Sequence, residues 1–342
     1  MNLITGGSGF IGINIARSLL EKGKRVKVLD IAPPGMDIVK NKIEHLNIDI
    51  RNRREVIEAC QGAENIYHTV SLVPISKAGR KFWDVNVEGT RNILEGALKH
   101  GVKKIIHMSS SAVCDINQKN PLTEESQIKP LGAYGHSKYA AEKVCHEYRK
   151  KGLDITIVRP RTVLGPERLG IFGILYDWIK NGKSIYIIGD GSNKIQFMHI
   201  KELAEACILM TQKVSNEVFN IGTDRFSALK DDLGALIDYA GTKSRIVCLN
   251  PTLAIGTLRI LDKLGLSPLA DWHYLSYHKD FYFDITKVKR MLNWQPSYSN
   301  KEMLIESYQW YLEHFKEVKI QIGTTHRKSV KQRLLKLLRG VS

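Results

Sequence analysis

The sequence of 342 residues has no run of 18 uncharged apolar residues, so a membrane-spanning helix is not expected. It has no internal repeat and no low-complexity segment, which excludes a solenoid or repeat array. The opening "MNLITGGSGF" lacks the basic and apolar regions of a secretory signal. Its five cysteines (60, 114, 145, 207, 248) are odd in number and scattered, with no Cys-x-x-Cys pair. That pattern suggests neither a disulfide framework nor a zinc site, and a reducing cytoplasm fits it. Residues 319–342 hold no acid, yet carry seven of the basic residues behind a formal net charge of +16. Basic chains seek phosphates, on nucleic acid, lipid or a small ligand. No recognition motif or aromatic interleaving accompanies the charge, which argues against nucleic acid.

What is present is an ordinary globular composition, 43% hydrophobic, enough for one large domain or two lobes. The first half alternates strand and helix. "NLIT" reads as a buried strand, "GGSGFIG" as a glycine turn and "INIARSLLEKG" as a helix ending at a glycine. "RVKVLD", "ENIYHTV" and "VKKIIHMSS" read as further strands, with the helix "VNVEGTRNILEGALKH" between the last two. Short alternation of this kind predicts right-handed crossovers and a doubly wound parallel sheet, an α/β fold that binds ligands at the carboxyl ends of its strands.

Gly6, Gly9 and Gly12 form G-x-x-G-x-x-G between a strand and a helix. The first permits a tight turn, the second lets a pyrophosphate approach the backbone, and the third lets helix and strand pack closely. Asp30 ends the second strand, 18 residues after Gly12. A carboxylate there accepts hydrogen bonds from both ribose hydroxyls and repels a 2′-phosphate, which favours NAD over NADP. Downstream, "YGHSK" puts Tyr134 and Lys138 four apart in a helix-forming stretch, so they share one face. A phenol titrates near pH 10 unperturbed, and a neighbouring ammonium lowers that value, allowing proton exchange with an alcohol. A hydroxyl of the cluster Ser109, Ser110 and Ser111 is placed to hold that alcohol oxygen.

These motifs, with "NIDI" (47–50), "VNVEGTRN" (85–92), "VRPRTVLGP" (158–166) and "FDITKVKRMLNWQPSYSNKEML", resemble the extended short-chain dehydrogenase/reductases. The likeness covers roughly residues 1–315 and is greatest to nucleotide-sugar epimerases and dehydratases. It implies a Rossmann-type NAD domain over 1–160 with a return segment near 196–222. A smaller substrate cap would come from 161–195 and 223–318, with 319–342 as a basic amphipathic tail. The resemblance implies Tyr134 as catalytic base and Lys138 as the group that lowers its pKa and binds the nicotinamide ribose. Counting back four from Cys114, which holds the place of a family tyrosine, points to Ser110 as the catalytic hydroxyl; Ser109 is then structural. The implied NAD contacts are Gly6, Gly9, Phe10, Ile11, Gly12, Asp30, the pair Asp49 and Ile50, Thr69, Val70, Ser71, the helix-anchoring Asn86, and Pro160. Ser111, Thr162 and Gln196 are the implied substrate contacts, with Lys194, Lys279 or Arg161 as substitute phosphate ligands.

After the catalytic hydroxyl, dehydratases of this family carry Asp-Glu, because eliminating water needs an acid and a base. Here the positions are Ser111 and Ala112, which disfavours dehydration and decarboxylation. The leading expectation is an NAD-dependent epimerase that oxidises a sugar to its keto form and reduces it on the opposite face. A hydroxysteroid- or ketone-type dehydrogenase is the alternative, and a non-catalytic NAD-binding scaffold the reading from another class. Ile195 stands where such epimerases place a diphosphate-binding Arg, so a standard UDP-hexose pocket is not expected. "RLGIF" (168–172) is either a loop over the substrate or ordinary cap packing. In the tail, Val330, Leu334, Leu337 and Leu338 make one apolar stripe flanked by Lys331, Arg333, Lys336 and Arg339. That pattern suits an interfacial helix on an anionic membrane, or equally a solvated or partner-docked terminal helix. A sugar diphosphate linked to a nucleotide or a polyprenyl chain is the expected substrate. A homodimer built on the helices near 86–100 and 138–150 is the expected assembly, cytoplasmic or peripheral at the inner membrane face.

Overall fold

The computed structural model describes residues 1–33, 43–264, 267 and 269–318. Seven parallel strands form the central sheet: β1 (Asn2–Thr5), β2 (Val26–Leu29), β3 (Glu44–Leu46), β4 (Asn65–His68), β5 (Lys104–Met108), β6 (Ile155–Pro160) and β10 (Val218–Ile221). Their order is β10-β6-β5-β4-β1-β2-β3. The order reverses at β1, which pairs with β2 on one side and β4 on the other. The crevice at such a switch point is where a doubly wound sheet binds its ligand. The helices that cover the sheet and matter for the site are α1 (Phe10–Glu21), α2 (Arg53–Ala59), α3 (Gly89–Lys99), α4 (Gly132–Arg149) and α6 (Ile200–Lys213). The parallel α/β fold read from the sequence is the fold observed.

The central strands read as near-continuous apolar runs because both faces of the sheet are covered. Leu3, Ile4, Ile66, Ile105, Ile155 and Ile157 are fully buried, each contributing about 1.5–3 kcal/mol relative to exposure. One core lies between the sheet, α1 and α6, with Ile13, Ala16, Leu203 and Cys207; the other lies under α2, α3 and α4, with Val56, Ile93, Leu94 and Cys145.

A smaller lobe is built on two short parallel pairs, β7 (Thr162–Leu164) with β9 (Phe197–His199), and β8 (Ile185–Ile188) with β11 (Ile246–Leu249). Its core joins α5 (Gly170–Lys180), α7 (Leu229–Ala240) and α11 (Asn300–Val318) through Tyr176, Leu236, Leu304 and Tyr308. Helices α8 (Pro251–Lys263) and α9 (Asp271–Ser276) lie over the crevice side. Helix α10 (Thr286–Leu292) packs Val288 and Leu292 into the first core of the large sheet, against α6 and β10. The tail stripe from Val330 to Leu338 lies outside the described residues.

Candidate active site

One cleft of about 950 Å3 runs along the carboxyl ends of β1, β2, β4, β5 and β6. Its first end is made mostly of backbone. Gly6 turns the chain at φ +70°, and a Cβ there would sit 2.6 Å from the backbone of Val70. A Cβ on Gly12 would sit 2.4 Å from the Gly6 carbonyl, so only glycine lets α1 start this close to the turn. Gly9 caps α1 in an extended conformation with no side chain in the way. The first N–H groups of a helix have no intrahelical acceptor, and those of Phe10, Ile11 and Gly12 open this end of the cleft as a cradle for an anion.

Asp30 closes the same end. Its carboxylate accepts hydrogen bonds from the backbone N–H of Ser8 (3.1 Å) and Ala32 (2.9 Å). Burial raises its pKa, against the lowering by those two bonds and by His45. Asp49 lies on the rim, held bidentately by Arg51, which keeps its pKa low. Ile50 is buried against Gly89 and also lines the cleft. Thr69 is fixed by its hydroxyl to the Thr5 carbonyl (2.8 Å), and Val70, Ser71 and Pro160 continue the wall. Asn86 does not line the cleft. It is buried, donates to Ser137 (2.9 Å) and accepts from the Leu72 N–H (2.9 Å) and Ser71 (3.1 Å), so it positions the wall from behind.

The three serines divide after β5. Ser109 is buried and donates to Glu142, which also takes a bidentate bond from Arg159 (2.9 and 2.7 Å). That buried network anchors the strand end. Ser110 caps the short turn 111–113, accepting from Ala112 N–H at 3.1 Å, and faces the cleft. Ser111 accepts from Arg161 Nη1 at 3.0 Å. Tyr134 stands in the first turn of α4. A Cβ on Gly135 would lie 2.6 Å from the Ala112 carbonyl, so the glycine lets α4 press against the serine turn and bring the phenol beside Ser110. Burial raises the Tyr134 pKa; hydrogen bonding to Ser110, the charge of Arg168 and hydrogen bonding to Ser71 lower it. Lys138, one turn on, is 2% exposed and donates to the Met108 carbonyl at 2.6 Å. Burial drops its pKa to about 8. The charge of Arg168 therefore reaches the phenol in addition to the Lys138 that the sequence pointed to. Ser110, Tyr134 and Lys138 line one stretch of cleft.

On the substrate side the structure brings Ser111, Arg161 and Thr162 to the cleft, with Thr162 bonded to the Tyr277 hydroxyl at 3.0 Å. Lys194 and Gln196 are not brought there. Lys194 is exposed outside the cleft, with its backbone N–H given to Asp280 and its carbonyl accepting from the Phe281 N–H. Gln196 is fully buried, donating to the Thr223 carbonyl (2.7 Å) and accepting from the Phe283 N–H (2.9 Å), so its amide is spent on backbone. The substrate side also includes Arg168, Trp272, His273 and Tyr277, which were not singled out as contacts. Arg168 opens the "RLGIF" stretch. Its neighbour Glu167 looks like its partner but pairs with Arg17 at 2.7 Å.

A parallel sheet with a glycine cradle, a carboxylate at the end of β2 and a Ser–Tyr–Lys set defines a dinucleotide-dependent site of the extended short-chain dehydrogenase/reductase type. The chain belongs to the NAD dependent epimerase/dehydratase family, whose model matches residues 2–222. It is 40% identical to an uncharacterized protein, y4nG, of Sinorhizobium fredii, over 98% of this chain and 85% of that one. It is 28% identical to a UDP-glucuronate 4-epimerase of Thermodesulfobacterium geofontis, over 93% of this chain and 98% of the other. The solved UDP-glucose 4-epimerase of Thermotoga maritima with UDP-glucose matches with a TM-score of 0.78 at 25% identity, covering 92% of this chain and all of that one. NAD is the cofactor of this family, and the glycine cradle and Asp30 fit it.

Proposed function

We propose that the protein is an NAD-dependent epimerase of a nucleotide- or lipid-linked sugar. The observation that carries this reading is the distribution of carboxylates. Among the described residues lining the cleft, the acids are Asp30 and Asp49, both at the cofactor end. An adjoining cavity of about 230 Å3 holds Asp262, paired with Lys77, and Asp271, bonded to the Trp272 N–H. Within the cleft around Ser110, Tyr134 and Lys138 the chemistry on offer is proton exchange, with no acid among the described residues lining it there to expel water.

NAD bound in the cradle supplies the hydride acceptor and, on the return, the hydride donor. The chain's residues do the rest. Ser110 Oγ holds the carbinol oxygen. Tyr134 Oη takes its proton as the carbon–hydrogen bond gives up its electron pair, leaving a ketone. Lys138 and Arg168 offset the charge on the phenolate. After the keto unit turns over, the phenol returns the proton while hydride arrives at the opposite face. A Tyr134→Phe variant should lose about 10²–10⁴ in turnover while retaining NAD; unchanged turnover would favour the scaffold reading. The deciding measurement identifies any dinucleotide released on denaturing the purified protein. Stoichiometric NAD, freed only on unfolding, supports internal recycling. Empty protein with weak, reversible NAD binding would instead support the ketone-type dehydrogenase, a reading favoured by the Trp272, Tyr277 and Phe281 side chains around the substrate end.

The lipid-linked version is supported by α8. Leu253, Ile260 and Leu264 are 73%, 62% and 65% exposed and fall on one stripe, flanked by exposed Arg259 and Lys263. The helix contributes Asp262 to the cavity beside Tyr134, so this stripe lies near the cleft mouth. Among the described residues no helix is long and apolar enough to cross a membrane, so the contact proposed is peripheral. The full chain should float with vesicles containing anionic lipid, and a triple change of Leu253, Ile260 and Leu264 to Ser should weaken flotation. Equal flotation would rule out this face. A homodimer through α3 and α4 is part of the same reading, supported by their side-by-side packing and the exposed Leu98.

A further inference from the structure

Arginines near the cleft fall into two groups. Arg17, Arg51 and Arg159 are each met by a carboxylate, at 2.7, 2.6 and 2.7 Å. Arg161 and Arg168 are met by none among the described residues. Arg161 is 4% exposed, lies 3.9 Å from the Phe281 ring centre and has a buried Nε with no hydrogen-bond acceptor. Arg168 lies 5.4 Å from the Phe10 ring centre, and its Nε is likewise buried without an acceptor. Both guanidinium groups line the cleft and both act on the Tyr277 hydroxyl, so they converge on one region.

We propose that Arg161 and Arg168 form an oxyanion subsite at the catalytic end of the cleft, and that the substrate unit presented to Tyr134 itself carries a carboxylate or phosphate. This inference rests on the proposed function and names its substrate class. Buried charges are kept in proteins when paired, and two guanidinium groups that meet no carboxylate among the described residues and face one cleft leave that pairing to a ligand. The planar fork of arginine suits an oxyanion with two free oxygens. The place is close to the chemistry. Arg161 bonds Ser111, the neighbour of Ser110, and the charge of Arg168 reaches the Tyr134 phenol. Where related epimerases place a diphosphate-binding Arg, this chain has Ile195, 2% exposed and bridged to Phe281, whose ring Arg161 faces. A neutral sugar ring would leave both charges without an oxyanion partner; an acidic one would pair them.

The test uses NAD-saturated protein and three carrier-free probes, D-glucuronate, glucose 6-phosphate and D-glucose, followed by calorimetric titration and thermal shift. The expected result is binding of one or both oxyanions and no detectable binding of glucose. Glucuronate alone identifies a carboxylate, and glucose 6-phosphate alone a phosphate. Arg161→Gln and Arg168→Gln should each weaken oxyanion binding at least about tenfold, with Arg168→Lys between them and the wild type. Removing the charge of Arg161, 4% exposed, should also raise the unliganded melting temperature of Arg161→Gln, a gain that a structural arginine would not give and that also confirms folding. The proposal is overturned if oxyanions bind no better than glucose, or if the variants leave oxyanion binding unchanged. It is also overturned if they weaken NAD tenfold instead, which would assign the arginines to the cofactor's pyrophosphate. Failure of the epimerase reading shows separately, as absence of turnover with intact oxyanion binding.

Discussion

Lys138→Met should make the protein more stable at neutral pH while abolishing turnover. The lysine is 2% exposed, and burial lowers its pKa from 10.5 to about 8. At about 1.36 kcal/mol per pH unit, keeping the ammonium charged inside the fold costs about 3 kcal/mol at pH 7. Methionine fills a similar volume without charge, so that cost is removed. Against it stands the Met108 carbonyl, which loses its donor at 2.6 Å and costs about 1–3 kcal/mol if left unpaired. The net expectation is stabilisation of about 0–2 kcal/mol. The pH dependence has a definite sign. The unfolded lysine keeps its proton up to about pH 10.5, whereas the folded one releases it near pH 8. Between these values the unfolded state binds more protons, so wild-type stability rises with pH relative to the variant. Above pH 10.5 the wild type should be the more stable of the two, because only the carbonyl bond then distinguishes them. Paired urea melts of apo wild type and variant at pH 7, 9 and 10.5 measure the difference, and effects common to both proteins cancel. A variant destabilised at pH 7, or a difference that does not shrink toward high pH, would refute the account of a charge held against its desolvation.

Two further changes probe the scaffold and the cofactor end. Glu142→Gln removes the carboxylate that holds Arg159 and Ser109 and should cost about 3–5 kcal/mol in urea unfolding, while replacing Glu142 and Arg159 together by Leu and Met should recover most of it; an equal loss in the double variant would mean the pair itself, rather than an orphaned charge, sets the cost. Asp30→Ser should raise NADP affinity relative to NAD on the order of 10–100-fold, a few kcal/mol of like-charge repulsion at an effective dielectric near 20; an unchanged ratio in competitive titrations would show that Asp30 does not face the ribose.

The two ends of the cleft were unequally legible in the sequence, and the reason is physical. The cofactor end is made of backbone: a turn that only glycine can make, free N–H groups at a helix start, and an acid at a distance set by one strand–helix–strand unit. Each part constrains residue type at fixed spacing, so Gly6, Gly9, Gly12 and Asp30 announce it. The division of the serines came from the family resemblance, counted back from Cys114; the fold then puts Ser109 on Glu142 and Ser111 on Arg161. Lys194 and Gln196 were misplaced on the substrate side for the converse reason. They precede β9, and which way each side chain turns depends on Asp280, Thr223 and Phe283, distant residues that close over that strand.

Arg159 and Arg161 put the same limit more sharply. They stand two apart in "VRPRTVLGP", with 5% and 4% exposure, and nothing in the motif tells them apart. One meets Glu142 from α4; the other meets an aromatic ring from residue 281, and its charge is left for something outside the chain. Glu167 and Arg168 invert the case: adjacent and opposite in charge, they suggest a pair, yet Glu167 turns to Arg17 on α1 and leaves Arg168 facing the cleft. Whether a buried charge is structural or waiting for a ligand is decided by which carboxylates the tertiary fold brings within about 4 Å. Substrate recognition in this chain rests on that difference, so its specificity has to be read from partners absent as much as from residues present.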